Sequence, residues 1–222
     1  MMRLVSLGLF VVCLFSGCAL TEGGDETAIH KLPAMEVKGD HFTPSDGIQV
    51  DAAKDLIIED LVKDGVQGDI DRSIEIEEIS TREAWENNAI QLYFVTLPYA
   101  AVYGVAVVTN GAVVAFLSAM STEGLYLADL NGDGKYEVCT VYDRASGTVA
   151  LYIEVFDVKN SKQYEMPAGS NDEDYLRLAV DDDDNLIVVT KPGDYIVDSP
   201  KSSDKWTLLG RLILKDDELV TG

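Results

Sequence analysis

The stretch 102–117 reads VYGVAVVTNGAVVAFL. Its two runs are built from valine, alanine and aromatic residues, and β-branched side chains lose rotamer freedom in a helix but pack well on a pleated surface. Between the runs stands Asn110-Gly111, a pair that tolerates the positive φ angles a two-residue hairpin turn requires. The stretch therefore reads as a β-hairpin, and the same grammar continues on both sides. AIQLYFVTL (89–97) precedes it. GLYLADL (124–130), YEVCTVY (136–142) and TVALYIEVF (148–156) follow, the last placing Val149, Leu151, Ile153 and Val155 on one face. LRLAVDDDDNLIVVT (176–190) is a strand–turn–strand, and TLLGRLILKDDELV (207–220) ends the series. Short strands joined by tight turns predict a mainly β fold, an antiparallel meander packed as a sandwich, curled sheet or partial barrel. About 130 residues of such structure fill roughly three propeller blades, too few to close a ring.

Upstream of the strands the period changes. In VDAAKDLIIEDLVKDG (50–65) the apolar residues Ala53, Leu56, Ile57, Leu61 and Val62 recur at helical spacing, and Gly65 supplies a stop. TREAWEN (81–87) predicts a shorter helix with Ser80 or Thr81 as N-cap. A globular domain over 50–222 follows, with a short helical N-terminal part. Residues 18–49 are rich in Gly, Pro and polar side chains without a sustained period, and read as a flexible tether.

The chain starts MMRLVSLGLFVVCLFSGCAL. Arg3 gives a positive n-region, and Leu4 to Phe15 form an apolar segment too short for a lasting transmembrane span. Small Ser16 and Gly17 precede Cys18, and this ending resembles the lipobox of bacterial lipoproteins, with Phe15 where leucine is usual and Leu14 one position further back. The resemblance implies a signal peptide over 1–17, lipidation of Cys18, and a mature protein held in the cell envelope by its lipid, facing the periplasm or the exterior. An ordinary signal peptide cleaved nearby is the other reading. Cys13 lies in the leader, so Cys139 is the one thiol left for the folded part, and alone it forms no internal disulfide.

Charge narrows the function classes. The full chain carries 17 basic and 39 acidic residues, and removing 1–17 takes away Arg3 alone, leaving 16 − 39 = −23. Such an excess excludes nucleic acid as a partner and opposes attraction to anionic headgroups, while favouring hard cations.

The acids are patterned at one place. LADLNGDGKYEV (127–138) reads Asp129-x-Asn131-x-Asp133-Gly134-x-x-Glu137. Calcium takes six to eight oxygen ligands, and this alternate spacing aims side-chain oxygens at one point, with the Lys135 carbonyl as a main-chain ligand. An EF-hand would need a bidentate Glu at position twelve, where Thr140 stands, and helices where strands are expected. The stretch instead resembles the Asp-rich calcium loop of FG-GAP and VCBS-type repeats, which joins two strands and ends in an acid at the ninth position. The resemblance covers about 15 residues and one copy. It implies one structural Ca²⁺ held by Asp129, Asn131, Asp133, Glu137 and the Lys135 carbonyl; an ion-free polar hairpin is the alternative. Asp181–Asn185 lacks both the spacing and the glycine, and reads as a solvated turn rather than a second cation site.

Catalytic constellations are sparse. The two histidines, His30 and His41, lie in the tether, which leaves the β-domain without triad or zinc ligands. Trp85 and Trp206 with Tyr93, Tyr99 and Tyr103 could line a sugar or peptide site, although aromatic residues of β-proteins more often pack. The expectation is a non-enzymatic, lipid-anchored envelope protein with a calcium-holding β-domain and a binding or scaffolding role. A secreted carboxylate-dependent hydrolase and an accessory or sensor subunit of an envelope complex are the alternatives.

Overall fold

The computed structural model describes residues 31–38, 42–66, 70–97, 102–119, 124–143, 151–167, 174–192 and 206–222. The leader, Cys18, His30, His41 and Tyr99 lie outside them. The described elements run in order β1 (Met35–Glu36), α1 (Val50–Lys63), α2 (Ile70–Ser73), β2 (Glu75–Glu78), α3 (Arg82–Asn88), β3 (Gln91–Leu97), β4 (Val102–Thr109) and β5 (Ala112–Ser118). They continue as β6 (Tyr126–Ala128), β7 (Glu137–Asp143), β8 (Leu151–Asp157), β9 (Lys162–Pro167), β10 (Asp174–Val180), β11 (Leu186–Pro192), β12 (Thr207–Lys215) and β13 (Glu218–Thr221). The fold is mainly β, as expected.

Three antiparallel sheets form, each a meander of strands consecutive in sequence: β2-β3-β4-β5, then β6-β7-β8-β9 with β1 added beside β6, then β10-β11-β12-β13. Local hairpins explain the order. Asn110 and Gly111 adopt φ of 49° and 77°, the left-handed pair that joins β4 to β5 without splaying them.

The sheets stack with the second in the middle, and its strands show why. Leu125, just before β6, and Leu127 on it enter one core with Val105, Val107 and Leu117 of the first sheet. Tyr126 and Ala128, pointing the other way, enter a second core with Leu178, Leu186 and Leu212 of the third. Val138 and Cys139 of β7 divide the same way, as do Phe156 and Val155 of β8. Period-two alternation with both faces apolar is what a sheet covered on both sides requires.

Helix α1 covers the outer face of the first sheet. Its buried residues Ala53, Ile57 and Leu61 repeat every fourth position and pack with Tyr93, Val95 and Val108. Gln91, 2% exposed, fastens the approach to α1: its Oε1 accepts from Ile48 N at 2.7 Å and its Nε2 donates to Ile48 O at 3.0 Å. Among the described residues no helix is long and apolar enough to cross a membrane.

Part of the expected tether belongs to the fold. Residues 35–36 pair with 126–127 in β6, Val37 N donates to Leu125 O, and Ala34 and Val37 are buried. The stretch resembles a linker because its strand is two residues long and its partner lies some 90 positions away.

Candidate metal centre

The loop between β6 and β7 is shaped by its own side chains. Asp129 Oδ1 accepts from Asp133 N at 3.0 Å, and Asn131 Oδ1 accepts from the same amide at 2.9 Å. Asp129 Oδ2 accepts from Gly134 N at 3.1 Å, and Asp133 Oδ1 from Lys135 N at 2.9 Å. Each Asx turn folds the backbone back toward the carboxylate that made it. Gly134 sits at φ 77°, a left-handed position where a side chain would be strained.

Glu137 begins β7 and points back into the loop. Its Oε2 accepts from Leu130 N at 2.6 Å and its Oε1 from Asn131 Nδ2 at 3.1 Å. Asp129 and Glu137 are both 0% exposed. Burial, opposed by the Leu130 amide and reinforced by the charges of Asp157, Asp133 and Asp129, pushes the Glu137 carboxyl up to about 8.

Two residues outside the motif join the cluster. Asp157, at the end of β8, stands opposite Glu137 in the β7–β8 register and is 1% exposed. It accepts from Asn160 N at 2.9 Å and Asn160 Nδ2 at 2.8 Å. Lys159, in the following turn, places Nζ 2.9 Å from Asp133 Oδ2. Sequence reading missed both, because they come from a different hairpin; the Asp-x-Lys-Asn turn at 157–160 was the available signal.

The loop's own lysine faces elsewhere. Lys135 Nζ donates to the Asn87 carbonyl at the end of α3. That helix forms where expected, with the Thr81 side chain accepting from Ala84 N and Ala89 closing it in the left-handed region at φ 55°. Its last residues then clamp the loop. Asn87 Nδ2 donates to Gly134 O at 3.2 Å, and Asn88 Nδ2 to Tyr136 O at 3.1 Å. Tyr136 N is shared between Asn87 Oδ1 and Asn88 Oδ1, each at 3.2 Å.

The donor set can be tested against a hard cation. Among the described residues four carboxylates (Asp129, Asp133, Glu137 and Asp157) gather with one ammonium, and three of the four are essentially buried. Buried carboxylates without a paired charge are costly, and oxygen donors of this kind suit calcium rather than a softer metal. As the side chains stand, no three or more His, Cys, Asp or Glu among the described residues are arranged to hold an ion. The oxygens, those of Asp129 and Glu137 included, are turned onto backbone amides and Lys159, so the residues fit calcium in chemistry and would have to re-aim to hold it.

No protein-family model, curated protein or solved structure matches the chain. The resemblance to FG-GAP and VCBS-type loops therefore rests on the motif residues alone.

Among the described residues the other sequence candidates are not brought together into one site. Asp181 Oδ1 accepts from Asp183 N at 3.0 Å and Asn185 N at 2.8 Å, making Asp181–Asn185 a self-bonded turn between β10 and β11. Tyr93 is fully buried under α1. Tyr103 is 38% exposed on β4 of the first sheet, whereas Trp206 lies against Arg177 of the third, 5.4 Å from the guanidinium carbon to the ring centroid. Trp85 is half-buried on α3. Cys139 is a fully buried thiol whose pKa burial raises further.

Proposed function

We propose that this chain is a lipid-anchored cell-envelope protein whose β-domain holds one structural Ca²⁺ and serves in binding or scaffolding. The anchor rests on the lipobox-like ending at Cys18, and two acyl chains, at ~0.8 kcal/mol per buried CH₂, would hold the protein without a transmembrane helix. The calcium reading is carried by one observation: Asp129, Glu137 and Asp157 are buried together, and among the described residues one lysine, Lys159, pairs with the cluster. Asp129 and Glu137 span the loop from its first to its ninth position, so drawing both onto one cation would fix the β6–β7 connection at both ends. Asn131, Asp133 and the Lys135 carbonyl would complete the oxygen shell. Bound calcium supplies positive charge and crosslinking and no redox or acid–base chemistry. Asn87 and Asn88 hold the far side of the loop against α3, which makes the site part of the scaffold.

Native mass spectrometry of chelator-treated protein, titrated with calcium, tests this. One ion should bind to the wild type and none to Asp129→Ala. A wild type that stays ion-free at millimolar calcium contradicts the reading.

A further inference from the structure

Residues 31–38 lie between the two acidic turns of the molecule and are bonded to both. Leu32 N donates to Asp129 Oδ2 at 3.2 Å. On the other side Ala34 N donates to Asp184 O at 2.8 Å, and Lys31 Nζ to Asn185 Oδ1 at 3.3 Å. Met35 and Glu36 then pair with Leu127 and Tyr126, immediately before the loop, and Val37 N donates to Leu125 O at 2.8 Å. Ala34 enters the core shared with the third sheet and Val37 the core shared with the first. The segment is a strap along the free edge of the central sheet, and its joint with the metal loop is the carboxylate of Asp129.

We propose that this strap is a calcium-dependent latch. An ion held by the Asp129–Glu137 loop fastens residues 31–38 to β6, and loss of the ion frees them as a unit while the three sheets stay folded. The inference rests on the calcium reading above and adds what the ion controls. Asp129 has three amide donors, and those of Asp133 and Gly134 belong to the loop itself. Among the described residues Leu32 N is the donor from outside the loop. When no cation balances Asp129, Asp133, Glu137 and Asp157, water reaches the buried Asp129 most easily by replacing that outside donor. Beyond these hydrogen bonds the strap has two ladder pairs, the buried Ala34 and Val37, and Leu32 and Met35 half-buried against the first core, far less than a full sheet strand, so its opening lies below global unfolding.

With the ion in place Asp129 is fixed and keeps Leu32 N as a partner. A ligand shifts such an equilibrium by its differential affinity for the two states, and the coupling is reciprocal. Loosening the strap must therefore weaken calcium by the factor with which calcium steadies the strap. In a lipid-anchored chain, release of these eight residues would lengthen the tether by up to about 26 Å.

Hydrogen exchange of the full chain, in millimolar calcium and in chelator, reads the latch directly. Calcium should slow exchange in peptides covering 31–38 by about tenfold or more, leaving β3 and β4 unchanged. Leu32→Pro removes the amide donor and leaves every loop side chain in place. It should exchange rapidly in both conditions and bind calcium about five- to tenfold more weakly by calorimetry. Val37→Ala, which loosens the strap through packing, should shift both readouts in the same direction. Calcium binding at one ion per chain with identical strap exchange in both conditions would overturn the latch and spare the site. Protection that changes uniformly across all three sheets would overturn it as well. A wild type that binds no calcium would overturn the loop reading and the latch together.

Discussion

Replacing Asn87 and Asn88 by alanine, singly and together, separates the clamp on the Asp129–Glu137 loop from ordinary helix stability. Tyr136 is 4% exposed, and its amide has two acceptors at 3.2 Å, one from each asparagine. Either single substitution leaves that amide one partner. Asn88→Ala also strips the Nδ2 donor from Tyr136 O, and Asn87→Ala strips the donor from Gly134 O. Both carbonyl contacts are part-buried, so losing the donor costs about 1 kcal/mol, offset by up to ~0.7 kcal/mol from alanine's helix propensity, and each single variant should lose at most about 1 kcal/mol. The double variant orphans the Tyr136 amide as well. It should lose about 1 kcal/mol more than the sum of the singles, and the propensity terms cancel in the cycle. Urea denaturation of the four proteins in chelator measures the coupling. Additivity within ~0.3 kcal/mol would refute the shared-amide geometry, because nothing would then distinguish the second loss from the first.

Lys159→Met removes the cation bound to Asp133, and calcium affinity should rise about two- to fivefold at low salt, the gain shrinking as salt is added; calorimetry that shows weaker binding would assign Lys159 a supporting role instead. Cys139 is fully buried with its thiol pKa raised, so iodoacetamide should leave Cys139 unlabelled in the native protein and label it fully in urea; peptide mass spectrometry reads the outcome. Cys18→Ser should abolish lipid labelling and release the protein from the membrane fraction. Membrane retention unchanged by that substitution, with no label on the wild type, would defeat the lipoprotein reading.

The parts of this molecule legible in the sequence are those decided by neighbours in the chain. Asn110-Gly111 sets a turn by its own φ preferences, Ala53, Ile57 and Leu61 mark a helix face by spacing, and Thr81 caps α3 with a bond three residues long. The Asp129–Glu137 loop is also local, which is why its self-bonded shape follows from its motif. What stayed hidden depends on distant pairing. Nothing near Met35 announces that it will lie against Leu127, and composition made residues 18–49 resemble a linker throughout. Asp157 and Lys159 join the loop through the β7–β8 register, and Asn87 and Asn88 through the packing of a two-turn helix, so no window around the motif contains them. The alternation that sets Ile153 and Val155 on one face of β8 was legible, whereas the burial of its other face through Phe156, and the stacking of three sheets with the middle one covered on both sides, required the cores themselves.

Thermal unfolding against calcium concentration tests the central claim, that the buried acids of the Asp129–Glu137 loop are balanced by an ion. An ion bound by the folded state alone stabilises it by RT ln(1 + [Ca²⁺]/Kd), or ~2.7 kcal/mol at a hundredfold excess, which for a chain of this size raises Tm by about 5–10 °C. Extracellular calcium modules bind near 10⁻⁴ to 10⁻³ M, so the rise should span the millimolar range, with magnesium a poor substitute because it demands a tighter octahedral shell. Asp129→Ala and Asp133→Ala should lose the calcium-dependent rise while remaining folded in chelator. Wild-type curves that coincide in chelator and in millimolar calcium, with mass spectrometry showing no ion retained through chelation, would make the loop a polar turn and contradict the account.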